Sequence, residues 1–165
     1  MTDFVFFWHP HRKRLGDKAV FSQWYQEPFH SDGLWFPTAE HWMMYEKARL
    51  FEDFDTAARI LDTPTPGDVK ELGRQVQGFT EQIWDENKYH IVKLGNLLKF
   101  SQSSELERIL LDTGDAILVE ASPYDRIWGI GMKEDHRNAT KPELWKGQNL
   151  LGRALMDVRA MLIGG

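Results

Sequence analysis

The chain has 165 residues, 42% of them hydrophobic and 27% charged, with a formal net charge of −5; that length suits one domain, 1–165, with a core large enough to need no staples. The absence of cysteine excludes disulfides, thiolate metal sites and cysteine nucleophiles, and the acidic balance excludes a broad electrostatic hold on a phosphate backbone. No signal peptide opens the chain and no apolar run approaches the roughly 18 residues of a membrane span, so a soluble, cytoplasmic protein with no membrane partner is expected.

In chain order, Phe4 to Trp8 predicts a short buried strand, and the polar, basic segment His9 to Lys18, broken by Pro10 and Gly16, predicts a mobile loop. His11, Arg12, Lys13 and Arg14 are the densest positive charge in the chain, which suits either a phosphate cradle or a solvated loop with no ligand. Val20 to Tyr25 and Phe29 to Phe36 read as two short strands of a hairpin leading into a helix, with Asp32-Gly33 as turn residues. That helix, opening after Pro37 with Thr38 as N-cap, runs to Leu50. His41 stands where a full capping box would need Glu or Gln.

At about 100° per residue, Glu40, Met43, Met44 and Lys47 of this helix share one stripe. A carboxylate and an amine then frame a thioether-lined surface, separated by a rise of about 10 Å. The same letters fit a solvated polar face, with Trp42, Tyr45 and Arg49 on the side turned to the core. Asp53 to Leu61 predicts a second helix with Phe54, Ala57, Ala58, Ile60 and Leu61 as its apolar residues, stopped by Thr63 to Gly67. Pro66 can start a third, ending near Arg74. Thr80 to Phe100 has the period of a long helix, Trp84, Ile91, Leu94, Gly95 and Leu98 falling on or near one face. Gly95 there costs about 1 kcal/mol relative to alanine, which suggests close approach by a neighbour or ligand. Ser104 to Leu111 predicts a shorter helix and Ala116 to Glu120 a buried strand. Ala121 to His136 has no helical period. Leu150, Leu151, Ala154, Leu155, Val158, Met161 and Leu162 make the core stripe of a closing helix.

No P-loop, dinucleotide fingerprint, His-Glu-x-x-His or Gly-x-Ser-x-Gly is present, and no histidine pairs with a second ligand at a convincing metal spacing. The candidates that remain are carboxylates and a lysine beside aromatics, which make up 13% of the chain with seven tryptophans. Glu120 ends a strand and Asp125 lies in the loop after it, where an acid or base is placed or where a carboxylate pins the loop. Lys47, on a partly apolar stripe, suits either an amine with a depressed pKa or a buried stem with a snorkelling head.

Six pieces stand in order: Trp-Phe-Pro-Thr-Ala-Glu-His-Trp (35–42), Tyr-Glu-Lys-Ala (45–48), Leu-Gly-Arg (72–74), Lys-Phe-Ser-Gln (99–102), Leu-Val-Glu-Ala-Ser-Pro-Tyr-Asp-Arg-Ile-Trp-Gly-Ile-Gly (118–131) and Trp-Lys-Gly-Gln-Asn-Leu-Leu-Gly-Arg-Ala-Leu-Met (145–156). Together they resemble the NADAR family over almost the whole chain. The resemblance implies a mostly helical α+β domain with a small N-terminal hairpin or sheet, which hydrolyses a ribosyl C–N bond without cofactor or metal. The expected substrate is a phosphoribosylaminopyrimidine intermediate of riboflavin biosynthesis; the alternatives are removal of ADP-ribose from guanine in nucleic acid, and a non-catalytic module that binds ADP-ribose. On the family pattern the catalytic candidates are Glu40, Lys47, Glu120 and Asp125, expected to converge beside an aromatic wall. Trp128, with Gly129 and Gly131, would line the base or ribose. Arg12 of the basic run, Trp24, Trp84 and Asn149 complete the substrate-binding candidates.

Overall fold

The computed structural model of the chain describes residues 1–165 and is an α+β structure dominated by helix. In chain order its elements are β1 (Phe4–Phe7), α1 (Arg12–Leu15), a 3-10 turn (Gly16–Phe21), β2 (Phe29–Ser31), β3 (Leu34–Phe36), α2 (Ala39–Leu50), α3 (Phe54–Leu61), α4 (Pro66–Arg74), α5 (Glu81–Ser101), α6 (Ser104–Leu111), β4 (Ile117–Glu120), a second 3-10 turn (Pro142–Leu144) and α7 (Leu150–Gly164). The backbone gathers into two units. One combines Met1–Tyr25 with Ser103–Gly165, and the other is the continuous stretch Gln26–Gln102. No helix is long and apolar enough to cross a membrane.

In the unit built from both chain ends, β1 and β4 pair in parallel, Phe4 opposite Ile117 through to Phe7 opposite Glu120. Val119, Ile130, Met132 and Ala139 form a buried cluster joined by Phe4, Phe6, Ile117 and Trp145, while Phe7 packs its ring 5.6 Å from that of Phe21. The segment expected to be a mobile loop instead contains α1 and the first 3-10 turn. That turn exists because Ala19, Val20 and Phe21 are all buried, and one tight turn puts three consecutive side chains inside more easily than a strand whose residues alternate between faces. Ser103 caps α6 by accepting from the Leu106 amide. In α7 the apolar stripe is buried from Leu150 to Val158, but Met161 is 47% exposed, so the fully buried stripe stops nearly two turns before the helix does.

In the continuous unit the hairpin lies wholly within Phe29 to Phe36, with Phe29 opposite Phe36. Asp32 and Gly33 both take positive φ, 51° and 80°, the twist that a two-residue type I′ turn requires. Val20 to Tyr25 is therefore not its first strand. α2 packs against α3, α4 and α5, and both of its faces are buried: Glu40, Met43 and Met44 on one, Trp42 on the other. Trp42 donates its indole N–H to the Ile91 carbonyl at 2.9 Å and lies so close to α5 that a Cβ on Gly95 would stand 2.3 Å from its Cδ1. The glycine expected to mark a close approach does so, and the neighbour is an indole. Three residues assigned to apolar faces are exposed: Phe54 at 63%, Leu94 at 37%, and Ala58.

Candidate functional site

Two groups of predicted residues are built by the fold, one in each unit. In the continuous unit, α2 begins where the Thr38 side chain accepts the His41 amide at 3.2 Å. The same hydroxyl meets His41 Nδ1 at 2.7 Å, and Nε2 meets the Thr63 carbonyl at 2.7 Å. A carbonyl only accepts, so Nε2 carries the proton and Nδ1 accepts from the hydroxyl. Burial of the ring lowers the pKa of His41, against an opposing contribution from the Thr63 carbonyl. The residue that breaks the capping box is thus a neutral structural clamp.

This anchored start fixes Glu40, which is buried, and one stripe further along, Lys47. The Lys47 ammonium donates to the Gly73 carbonyl at 2.8 Å and stands 4.6 Å from the centre of the Phe79 ring and 5.5 Å from that of Trp84. Burial is the main reason its pKa is lowered; the negative charge of Glu40 pulls it back up and Arg74 pushes it further down. Lys47 is half-buried, so it is neither a snorkelling surface lysine nor sealed. A depressed pKa raises the share of neutral, nucleophilic amine near neutral pH. Trp84 is buried as one wall of this amine site. α4 approaches closely enough that a Cβ on Gly73 would fall 2.0 Å from the Met44 sulfur, which is how the Gly73 carbonyl comes to the amine.

In the other unit, Glu120 ends β4. Its amide donates to Asn149 Oδ1 at 3.0 Å and its carbonyl accepts from the Ile130 amide at 3.0 Å. Asn149 also donates its Nδ2 to the Leu118 carbonyl at 2.9 Å, so one buried side chain holds the strand at two points, on either side of Val119. Gly129 lies against the acid: a Cβ there would stand 2.8 Å from the Glu120 carbonyl oxygen and 3.1 Å from Oε2. Asp125 Oδ1 accepts from the amides of Ile127 and Trp128, each at 2.8 Å, which pins the turn that presents half-buried Trp128. The fold thus brings Glu120, Asp125, Trp128, Gly129, Gly131 and Asn149 into one loop-and-strand assembly.

Arg12 and Trp24 are placed elsewhere in that unit. The Arg12 guanidinium pairs with Glu105 and lies 5.8 Å from the Tyr25 ring centre, while Trp24 is an exposed indole after the first 3-10 turn. Sequence reasoning missed Phe79 and the Gly73 carbonyl at the amine, and Gly147, where a Cβ would fall 2.3 Å from the Gly129 carbonyl. Gly73 lies within Leu-Gly-Arg (72–74) and Gly147 within the 145–156 motif; nothing local marks Phe79.

With that geometry established, comparison with known proteins is informative. A family model described as NADAR domain matches residues 6–163. The chain is 40% identical over 163 residues to N-glycosidase R617 of Acanthamoeba polyphaga mimivirus, covering 96% of each chain. Its fold matches the NMR structure of the Escherichia coli protein YbiA with a TM-score of 0.78 and 29% identity, covering 99% of this chain and 87% of that one. It is also 31% identical over 145 residues to the chloroplastic riboflavin biosynthesis protein PYRR of Zea mays, a stretch that makes up 82% of this chain and 21% of that protein.

Proposed function

The chain belongs to the NADAR family, and from that premise we propose that it is an N-glycosidase hydrolysing the ribosyl C–N bond of a phosphoribosylaminopyrimidine intermediate of riboflavin biosynthesis. The NADAR match spans the chain, R617 and YbiA are named N-glycosidases, and PYRR carries riboflavin biosynthesis in its name. The single observation that carries the chemistry is the half-buried Lys47 amine, with a lowered pKa, held between a carbonyl and two aromatic rings.

Ribosylamines open readily to a C=N form. The neutral Lys47 amine adds to C1, the base leaves as its free amine with the two protons that the lysine nitrogen gives up, and a lysine imine remains. Water then adds to that imine carbon, releasing ribose 5-phosphate and restoring the amine. The net reaction is substrate plus water giving aminopyrimidine plus sugar phosphate. Glu120, at the strand end beside Gly129, is proposed as an acid–base carboxylate. Glu40 sets the charge felt by Lys47. Asp125 keeps the loop in shape, and Trp128 offers a face to the flat base. The whole chain acts as one NADAR domain, in the cytoplasm, on a small soluble substrate.

Borohydride added during turnover is expected to fix a sugar-phosphate adduct on Lys47, readable by mass spectrometry, and Lys47→Ala should lower kcat at least about 100-fold. Full activity in Lys47→Ala would end the assignment. An inactive Lys47→Ala enzyme with no trappable adduct in the parent would replace the imine by direct displacement through an oxocarbenium-like state. Parallel incubation with ADP-ribosylated guanine DNA tests the alternative substrate, and binding of ADP-ribose with no turnover of either substrate would indicate a module instead of an enzyme.

A further inference from the structure

Arg126, in the loop that carries Trp128, and Lys146, just after the second 3-10 turn, are two cations outside every ion pair of the chain. A Cβ on Gly131 would stand 3.1 Å from Lys146 Cβ and 3.2 Å from Arg126 Cγ, so the stems of both side chains meet at this one glycine. The backbone fixes the meeting: the Lys146 amide donates to the Ile130 carbonyl at 3.0 Å, and the Gln148 amide to the Arg126 carbonyl at 2.9 Å. Neither cation takes part in the chain's ion pairs. The nearest acid in sequence, Asp125, has turned its Oδ1 to the Ile127 and Trp128 amides. The first amides of α7 offer nothing to an anion either, because Leu150 and Leu151 donate to the Ile127 and Trp128 carbonyls at 3.2 and 3.1 Å. Two long cationic side chains rooted this close together can reach one anion between them.

We propose that Arg126 and Lys146 together bind the phosphate monoester of the substrate, a role resting on the phosphoribosyl reading above. The spacing along the chain suits a five-carbon sugar phosphate. Glu120 Oε2 lies beside Gly129 and the cation pair beside Gly131, positions two residues apart and so at most about 7 Å along the backbone. A ribose 5-phosphate with its anomeric carbon toward the carboxylate presents its phosphate to the guanidinium and ammonium.

The test titrates the full chain and its Arg126→Gln/Lys146→Gln variant with ribose 5-phosphate, ribose and ADP-ribose by calorimetry, thermal unfolding serving as the check on fold. The expected result is ribose 5-phosphate bound at least about tenfold more weakly by the double variant, with ribose affinity unchanged, and partial recovery when Arg126→Lys replaces Arg126→Gln. If the double variant does not fold, Arg126→Gln and Lys146→Gln are read singly, each expected to weaken ribose 5-phosphate severalfold. Unchanged affinity in the folded variants, or no ribose 5-phosphate binding by the parent chain, overturns the proposal. Dependence on the pair for ADP-ribose alone also overturns it, assigning the cations to a pyrophosphate. Turnover is followed separately. Pair-dependent sugar-phosphate binding without hydrolysis would sink the enzymatic reading and leave this site standing, and hydrolysis with indifferent binding would do the reverse.

Discussion

At the scale of single residues, the most unusual group outside the site is Lys99, 0% exposed near the end of α5. Burial pushes its pKa from 10.5 down to about 7, and the attraction of Glu27 offsets this only in part. The unfolded chain keeps that proton to about pH 10.5, so between about pH 7 and that value the unfolded state holds a proton the folded state lacks. Folding then gains as pH rises, by at most about 1.4 kcal/mol per unit. Thermal unfolding followed from pH 6 to pH 9 should show Tm climbing, and Lys99→Met should remove most of the climb; an unchanged pH profile would mean the amine stays charged. His41, lowered in the same sense, acts on the acid side, costing stability as pH falls below about 6.5. Gly95 gives a second residue-scale prediction. Alanine there gains about 1 kcal/mol in helix propensity, but its Cβ would need room already taken by Trp42 Cδ1 at 2.3 Å, and overpacking of a rigid ring costs about 1–3 kcal/mol. Gly95→Ala should therefore lower the urea midpoint, and a rise would show that α2 and α5 separate easily.

Among the elements, the least conventional helix start is that of α7. Its cap, Asn149, adopts a left-handed backbone with φ 53° and spends its side chain on β4 instead of on its own helix. Asn149→Ala loses two buried hydrogen bonds and carries the left-handed cost, about 2–4 kcal/mol in all, while Asn149→Gly should retain about 1 kcal/mol of that by relieving the backbone. Chemical denaturation of the two variants checks the order, and equal losses would mean the backbone cost is negligible. Local signals of this kind also decided what could be read from sequence. Thr38, Thr80 and Ser103 each cap a helix whose start was legible, because a cap acts on an amide only two or three residues away. Val20 to Tyr25 forms no strand for the converse reason: a short apolar run carries no period to separate a strand from a tight turn. The stripe from Glu40 to Lys47 was legible from helical period alone. The Phe79 ring and Gly73 carbonyl around the amine were not, since they reach it from other stretches of chain.

Over the whole molecule, the continuous unit was largely readable because its helices follow one another with their own start and stop signals. The other unit was not, because the partner of β1 is β4, and no pattern near Phe4 points to Ile117. Amides at that seam, Ile117 to the Asp3 carbonyl and Ala121 to the Phe7 carbonyl, each at 2.9 Å, should be protected from hydrogen exchange in the full chain and exchange freely when Met1–Trp8 is deleted; retained protection would show that β4 stands without its neighbour. The seam has a temporal side as well. A chain emerging from the ribosome presents β1 first and its mate only after Gln26–Gln102 has followed, so the opening segment must wait, apolar and unmated, while the stretch behind it already has everything it needs to close. Nascent chains halted just past Gln102 are where a chaperone should find Phe4 to Trp8 still available.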